Sequence, residues 1–328
     1  MKRIGDILER SHVVKKASAI TPHVVKLLDA AVLIRDEPGT IADAAYMSRE
    51  LVQCTLPHSD PGQVPFWART NGNITLSIIS GMDPKKMKLV GYPYGSIPRL
   101  ILFWMTSEAI RTADRRLYLG ETYAKFLREL GLDPNTGGGK RSDAKRVKEQ
   151  TRRLFSATIS FIENIESSNG HEGERRLNMP VASASELWWD PKQPDQIHLW
   201  DSWVELSDRF YDALTKSPVP VDIRALRALK QSPLALDLYA WATHKAFSVS
   251  RQGKAQYIPW KLLALQFGAD YSDHLNFKKK AKDALKKITA VYPGLKLSDD
   301  TPGGITVLPT SGPAIPYRQP KPTIVGVR

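Results

Sequence analysis

Two stretches of this chain carry several positive side chains on what helical spacing predicts to be one side of a helix. In the predicted helix 142–155, the side chains of Val147, Leu154 and Phe155 fall together and leave the other side to charged residues. The basic residues that precede this helix or lie on its other side are Arg141, Lys145, Arg146, Lys148 and Arg152. Such groups can bind phosphates and guanine edges, although a run of charge is also common on a purely solvated helix face.

The second stretch is the predicted helix 272–291, in which an apolar stripe alternates with lysines. We expect the stripe to comprise Leu275, Ala281, Leu285 and Ile288. The basic face comprises Lys278, Lys279, Lys282 and Lys286, extended by Lys280 and Lys287. Lysine is a point charge, whereas arginine presents a rigid fork of donors. We therefore expect more contact with the DNA backbone from this helix and more base reading from the first one.

Residue patterns for catalysis, nucleotide hydrolysis or metal binding are incomplete. Residues 137–141 resemble a phosphate-binding loop, but Pro134 stands where its first glycine is required, and the final Ser or Thr is missing. The seven histidines lack the spacing of metal-dependent nickases or peptidases, and the single cysteine, Cys54, excludes a cysteine-based zinc site. Tyr92 and Tyr94 lack an accompanying histidine cluster, so we interpret them as a turn that packs on the core. We predict no catalytic residues, no metal and no cofactor.

The net charge of +13 is unevenly distributed along the chain. Residues 96–160 and 221–328 carry net charges of +6 and +10, whereas residues 161–220 carry −6. This division predicts two cationic modules on a less charged scaffold, and the charge balance suits either a phosphate-rich partner such as duplex DNA or an anionic membrane surface. The longest apolar run, residues 100–105, is too short to span a bilayer. Because only one cysteine and no signal peptide are present, we predict a cytoplasmic protein without a membrane partner.

The elements that must position the two basic helices recur in the same order. The first set comprises a helix at 97–110, a strand at 117–119, helices at 121–130 and 142–155, and strands near 158–162, 179–189 and 197–206. The second set comprises a helix at 234–247, a strand at 257–258, helices at 261–267 and 272–291, and strands at 295–297 and 305–308. This order predicts an α+β fold with two tandem winged helix-turn-helix domains.

The predicted domains include an additional segment at each end of the chain. Their bounds are 1–50 for an N-terminal helical arm, 51–215 for the first winged-helix domain with its preceding hairpin, 216–310 for the second, and 311–328 for a Pro-rich, disordered or extended tail. Asn71-Gly72 predicts the turn of that hairpin. The run Lys85-Lys86-Met87-Lys88 is interpreted as a solvated loop.

Several motifs outside the basic helices resemble those of the plasmid-encoded RepA replication initiators. The most specific is Gly91-Tyr92-Pro93-Tyr94-Gly95-Ser96-Ile97-Pro98-Arg99-Leu100, together with its spacing to the first basic helix. Others lie at residues 55–61, 66–73, 119–120, 126–127, 130–131, 137–139 and 150–155. The resemblance covers roughly residues 50–310 and excludes the first 45 residues and the Pro-rich tail.

The resemblance implies a non-enzymatic initiator that binds repeated duplex sites, called iterons, at a plasmid origin. Such proteins help to open adjacent AT-rich DNA, recruit the host initiator and the replicative helicase, and often shift between a DNA-binding monomer and an autorepressing dimer. Carried onto this chain, the resemblance gives Lys145, Lys148 and Arg152 as groove contacts of the first domain. It gives Lys278, Lys279 and Lys282 for the second. Arg99 lies in the motif and either contacts DNA or braces the first domain.

Three other functions fit parts of the same sequence. A winged-helix transcriptional repressor or autoregulator of plasmid genes would share every DNA-binding feature. A nicking or primase enzyme would need metal-binding carboxylates, or a histidine pair with a tyrosine, which the sequence does not assemble. An interaction protein with a basic surface would bind random DNA without preferring a repeat.

Overall fold

The computed structural model describes residues 21–136, 142–166, 171–188, 202–268 and 274–315. These ranges contain both helices and strands, and the strands pair antiparallel, so the predicted α+β class is confirmed. Within the same ranges, no helix has the length and apolar character needed to cross a bilayer. Three predicted features lie outside the described residues: the helical segment before residue 21, the basic side chain of Arg141, and the tail beyond residue 315.

The N-terminal part of the chain combines a helix with short strands. Its elements are α1 (Pro22–Asp36), a 3-10 turn (Ile41–Asp43), β1 (Ala44–Ser48), α2 (Arg49–Gln53), β2 (Trp67–Asn71), β3 (Ile74–Ile79), β4 (Met82–Asp83) and β5 (Lys88–Leu89). Helix α1 begins with Thr21 as the N-cap and Pro22 in the first turn. The hairpin predicted at Asn71-Gly72 joins β2 to β3, and Gly72 has a φ of 62°.

The first basic helix lies within the predicted order of elements. The run comprises α3 (Ser96–Thr112), β6 (Arg116–Tyr118), α4 (Tyr123–Glu129), α5 (Asp143–Phe155), β7 (Thr158–Glu166), β8 (Glu172–Pro180), β9 (Ala182–Glu186) and β10 (Trp203–Leu206). Strands β6, β10 and β9 form an antiparallel sheet in that spatial order. Strands β7 and β8, inserted after α5, join the first hairpin in the four-stranded sheet β2-β3-β7-β8.

The second basic helix lies within a similar run near the C-terminus. After α6 (Asp208–Thr215), β11 (Pro218–Asp222) and α7 (Ile223–Leu229), the run comprises α8 (Pro233–Gln252), β12 (Gln256–Pro259), α9 (Trp260–Phe267), α10 (His274–Val291), β13 (Leu297–Ser298) and β14 (Gly304–Val307). Its sheet has the order β12-β14-β13. In both runs, therefore, the strand before the basic helix pairs with the last strand of the run.

Local sequence signals fix the ends of the helices in these runs. Ser142, the N-cap of α5, accepts a hydrogen bond from the Lys145 amide at 3.3 Å. Ser232 caps α8 in the same way, with the Ala235 amide at 3.1 Å. Helix α8 ends at Gly253, whose φ of 64° is favourable for glycine. These caps satisfy amide groups that have no partner inside the helix.

The segment predicted as an N-terminal helical arm is not helical throughout. Residues Ala44–Ser48 form strand β1, which pairs antiparallel with β11 far along the chain. Helix α1 packs against α7 and α10, and buries Leu27 and Ile34 there. The sequence did not indicate this strand, because it is stabilised by a partner about 170 residues away, which local periodicity does not report.

Candidate nucleic-acid interface

Helix α5 buries one face and exposes a basic one, as its periodicity predicted. The buried side chains are Ala144, Val147, Gln150, Thr151, Leu154 and Phe155. Lys145, Arg146 and Arg152 are exposed, and Lys148 is half-buried at the edge of the apolar face. Lys145, Lys148 and Arg152 are three and four positions apart, so they form one stripe along the helix. The structure therefore brings these three predicted residues together on one side of α5.

The arginines of this helix are paired with nearby carboxylates. Arg152 Nη2 donates to Asp83 Oδ2 at 2.6 Å, which joins α5 to strand β4. Arg146 pairs with Asp143 one turn earlier, at 3.2 Å. The hydrogen bond from Arg152 lowers the pKa of the Asp83 carboxyl. Arg152 therefore has a defined direction before any ligand binds, while its side chain remains 46% exposed.

Arg153, near the end of α5, has mainly a structural role. Its Nη1 donates to Asp60 Oδ2 at 2.9 Å and to the Tyr92 carbonyl at 3.2 Å, and its Nε donates to Glu149 at 2.9 Å. Its guanidinium also lies 5.1 Å from the centre of the Tyr94 ring. Arg153 therefore connects α5 to the loop that precedes α3.

Helix α10 exposes lysines but differs from the prediction at its start. Leu275, predicted in the apolar stripe, is 78% exposed. It lies six positions before Ala281, a spacing that turns it away from the buried face, whereas Phe277, four positions before Ala281, is buried. Lys279 and Lys286 are exposed on the outer side.

The remaining predicted lysines of α10 lie on its flanks. Lys278 and Lys282 are half-buried on one side of the helix. Lys282 Nζ donates to Asp299 at 3.0 Å, in the connection between β13 and β14, and lies 5.9 Å from the centre of the Trp260 ring. The four lysines predicted as one face therefore divide into an outer pair and a flanking pair.

One basic contact between the two runs was not indicated by the sequence. Lys230, between α7 and α8, donates from Nζ to the Gly131 carbonyl after α4. Burial is the main cause that lowers the pKa of His23 on α1, and the ammonium groups of Lys287 and Lys230 lower it further. No periodic pattern could have found the contact between Lys230 and Gly131, because it joins two separate parts of the chain.

Arg99 of the Pro-Tyr-Gly motif joins the first helices of the two runs. Its buried guanidinium donates from Nε and Nη2 to the two carboxylate oxygens of Asp237 on α8, at 2.7 and 2.8 Å. Its other bonds go to the carbonyls of Leu56, Pro57 and Gly95. His58 Nε2 lies 2.9 Å from the same carboxylate. Of the two roles considered for Arg99, the buried structural one therefore applies.

Arg99, Asp237 and His58 form one buried cluster, which we call the buried joint. The charges within it determine which of its members are protonated. Burial alone would raise the pKa of Asp237, but the Arg99 guanidinium and the hydrogen bond with His58 outweigh it and lower the value to about 2. Burial lowers the pKa of His58, and the nearby Arg99 lowers it further, against the opposing effect of Asp237. Near neutral pH, the joint therefore consists of a charged Arg–Asp pair and a neutral imidazole.

Tyr92 and Cys54, which were considered for catalysis and for metal binding, are both buried in the core. Tyr92 is fully buried and donates its hydroxyl hydrogen to the Val64 carbonyl at 2.7 Å, as expected for a residue packed on the core. Cys54 is also buried, and burial raises the pKa of its thiol to about 11. Within the described parts of the chain, no group of three or more His, Cys, Asp or Glu side chains is arranged to hold a metal ion.

Comparisons with known proteins give a structural neighbour and a family. No curated protein matches the chain. A crystal structure of selenomethionine derivatives of domains 2 and 3 of RctB is similar with a TM-score of 0.44 and 13% identity, covering 76% of this chain and 93% of that one. The family model of the plasmid-encoded RepA protein matches residues 92–262, from the buried Tyr92 through α5 to the start of α9. The chain therefore belongs to the family of plasmid-encoded RepA proteins.

Proposed function

We propose that this protein initiates plasmid replication by binding repeated duplex sites at the origin through two winged-helix domains. The observation that carries the proposal is that an exposed basic helix occupies the third helical position in each of two similarly ordered runs. In helix-turn-helix proteins, the helix that enters the major groove has this character. Family membership connects such a DNA-binding protein to plasmid replication.

The winged-helix interpretation is supported by sheet topology as well as by element order. In each run, the strand between the first and second helices lies beside the last strand, and the two last strands are adjacent. We assign the connection between β13 and β14 as the wing of the second domain, while most of the corresponding segment of the first domain, after β9, lies outside the described residues. The proposed domains keep the predicted bounds of 51–215 and 216–310, and α1 packs on the second of them.

The basic residues supply two kinds of contact in this proposal. Lys145, Lys148 and Arg152 enter one major groove, with Arg141 and Arg146 near the start of α5. Lys279 and Lys286 contact the backbone around a second groove, and Lys278 and Lys282 flank them. Each phosphate that is neutralised releases counterions, which supplies affinity in a salt-dependent way. Base edges are distinguished mainly by the first helix, because an arginine fork can pair with guanine.

The buried joint gives this arrangement its specificity for repeats. Because Arg99 and Asp237 hold α3 against α8, the two domains present their basic helices at a fixed separation. A fixed separation restricts which spacing of major grooves can be bound at once. Docking on two grooves would bend the site and lower the cost of opening AT-rich steps nearby. The proposal also includes recruitment of the host initiator and the replicative helicase. It further includes a dimeric form of the protein that acts as an autorepressor.

Binding is tested by selecting sites from a random duplex library with the full chain and comparing the result with DNA that flanks the gene. We expect a selected sequence that occurs there as direct repeats. We also expect affinity to fall steeply with salt for both the repeat and random DNA, with a preference for the repeat of about 10³-fold or more. Equal affinity for both would overturn sequence-specific binding and favour the interaction protein with a basic surface.

Initiation is tested separately from binding. A replicon in which this gene is disrupted should fail to propagate unless the gene is supplied in trans. On supercoiled origin DNA, the protein should make thymines in the AT-rich segment reactive to permanganate. Normal propagation without the gene, together with altered transcription of plasmid genes, would instead support the alternative of a transcriptional repressor.

The proposal includes no enzymatic step. Incubation of the protein with supercoiled origin DNA and Mg²⁺ or Mn²⁺ should leave the DNA supercoiled. A relaxed product that disappears in a Tyr92→Phe or Tyr94→Phe variant would support a nicking enzyme instead.

A further inference from the structure

The run Lys85-Lys86-Met87-Lys88, predicted as a solvated loop, is part of a small hairpin. Strands β4 and β5 pair through Met82 with Leu89 and through Asp83 with Lys88. The Val90 amide closes the base by donating to the Gly81 carbonyl at 2.8 Å. Residues 84–88 are all exposed, and Met87 near the tip is 83% exposed, with a φ of 50°. The hairpin therefore projects from the protein surface.

The base of the hairpin is fixed against the C-terminal end of α5. A Cβ atom on Gly81 would lie 2.6 Å from the Ser156 carbonyl oxygen, so the two backbones are in close contact. Gly91, at the other side of the base, packs equally closely on the Arg153 guanidinium. The Ser80 hydroxyl accepts from the Gly91 amide at 2.9 Å and so links the two sides.

The ion pair between Asp83 and Arg152 places the hairpin in line with the basic stripe of α5. Arg152 is the last member of the stripe that begins at Lys145, and its guanidinium contacts the first side of the hairpin. The same carboxylate accepts hydrogen bonds from the Lys85 and Lys86 amides at 3.1 and 3.3 Å. Asp83 is thus occupied in holding the turn.

The charge that the hairpin presents to solvent is positive. Lys85, Lys86 and Lys88 are exposed, and only Lys86 lies near the Asp83 carboxylate, with Nζ 4.0 Å away. The flexible lysine stems can reach outward by several ångströms from a backbone that is itself held in place. Three ammonium groups therefore extend the stripe of α5 past the end of the helix.

We propose that the β4–β5 hairpin is an additional DNA-binding element, whose lysines contact the phosphates beside the major groove entered by α5. This inference rests on the proposed function, because it takes α5 to be a groove-binding helix. A duplex backbone continues past the end of a helix in the groove, and phosphates bind lysine without regard to sequence. The hairpin thus adds affinity and orientation but no base preference.

An acidic surface of a partner protein is the other ligand that three lysines could bind. The direct attachment to Arg152 favours DNA, since anything that contacts the stripe of α5 also lies next to the hairpin. A protein ligand would need no such alignment with the groove-facing residues. We therefore take DNA as the ligand, and the protein partner becomes an outcome of the test.

The first experiment compares two variants that each lose three exposed positive charges. One carries Lys85→Ala, Lys86→Ala and Lys88→Ala, and the control carries Arg209→Ala, Lys216→Ala and Lys254→Ala, at exposed sites outside the hairpin and both basic helices. Affinity for a selected duplex and for random duplex is measured from 50 to 200 mM salt. We expect the hairpin variant to bind both DNAs about tenfold more weakly. Its salt slope should fall by about 2 to 3, or about 0.9 per lost phosphate contact, with much smaller changes in the control.

A Lys145→Ala/Lys148→Ala variant, measured in parallel, separates failure of the inference from failure of the proposed function. If wild-type protein and this variant bind duplex DNA equally weakly, the proposed function fails. If this variant is impaired but the hairpin variant behaves like the charge-matched control, only the hairpin inference is overturned. Loss of plasmid propagation with unchanged DNA binding in the hairpin variant would also overturn it, and would indicate a protein partner.

The second experiment measures directly where the hairpin lies relative to the bound DNA. Cys54 is fully buried, so a cysteine introduced on the surface can be labelled selectively. An iron chelate attached to Met87→Cys should cut the duplex at sugars that flank the groove bound by α5. The same chelate attached to Lys254→Cys should not cut there. Equal cutting by the two labels, or none by the first, would show that the hairpin is not beside the DNA.

Discussion

Helices α5 and α10 occupy equivalent places in the two runs, but they hold their charges differently. Arg146, Arg152 and Arg153 of α5 are paired with carboxylates from their own helix or from neighbouring elements. On α10, Lys282 pairs with Asp299, while Lys279 and Lys286 project outward from the helix. The arginines of α5 are therefore oriented before DNA arrives, whereas the lysines on the outer side of α10 sit on flexible stems.

Basic helices at equivalent positions can therefore serve different purposes. An arginine held by one carboxylate loses less conformational entropy on binding and presents its fork in a set direction. A free lysine adapts to any phosphate and distinguishes bases poorly. We therefore expect α5 to determine which sequence is bound and α10 to determine mainly how tightly. The predictions below remove, exchange or preserve each contribution.

The largest effect is expected from breaking the buried joint between Arg99 of α3 and Asp237 of α8. Asp237→Asn removes the countercharge of the buried Arg99 guanidinium and should lower the free energy of unfolding by about 3–5 kcal/mol. Urea unfolding measures this change. Asp212→Asn, at an exposed carboxylate, is the control and should change stability by less than about 0.5 kcal/mol. Similar small values for both variants would contradict the importance of the joint.

The next effect concerns sequence preference and uses opposite exchanges in the two helices. Arg152→Lys keeps the charge of α5 but loses the planar fork, so preference for the selected site over random duplex should fall by about 1–3 kcal/mol. Lys286→Arg, the reverse exchange in α10, should leave that preference unchanged. Competition binding at constant salt measures both ratios. If Lys286→Arg changes the preference more than Arg152→Lys, the assigned division of roles is wrong.

A smaller effect is expected on overall affinity when the outer lysines of α10 are removed. Lys279→Ala/Lys286→Ala should weaken binding to selected and random duplexes equally, by about 1–2 kcal/mol in total. The slope of log K against log salt should fall by about 2, because two phosphate contacts are lost. A titration at several salt concentrations gives both quantities. Weakening confined to the selected duplex would instead assign base contacts to α10.

The smallest expected effect is a change in how the free energy of unfolding depends on pH. It arises from His58 in the buried joint. Since the pKa of His58 is lowered in the folded protein from 6.5, the unfolded chain binds a proton more readily. The stability that this neutral histidine contributes is present above pH 6.5 and is lost as the pH falls below it. His58→Gln should therefore flatten the fall in unfolding free energy between pH 7.5 and 5.5.

Part of that pH dependence should remain in the His58→Gln variant. Burial also lowers the pKa values of His23 and His244, which gives their protonation the same sign. Urea unfolding of wild-type and variant protein at each pH provides the comparison. An unchanged slope in the variant would show that His58 is not the titrating group.

Features that depend on one element alone could be predicted from the sequence. Helix α5 was predicted with its buried Val147 and Leu154 and with basic residues on its other side, because these follow from spacing within one helix. The Asn71-Gly72 turn was equally local. The error at Leu275 arose when the stripe was extended across a spacing that does not fit the helical period.

Only the tertiary structure decided how these elements are joined. Arg99 and Asp237 are 138 positions apart, and β1 finds its partner in β11 at a similar distance along the chain. The lysine run at 85–88 was visible in the sequence, but its place beside Arg152 depends on Asp83 and on the packing of Gly81 against α5. Periodicity reports which way a side chain points from its own element. Which residue it meets depends on the packing of the whole chain.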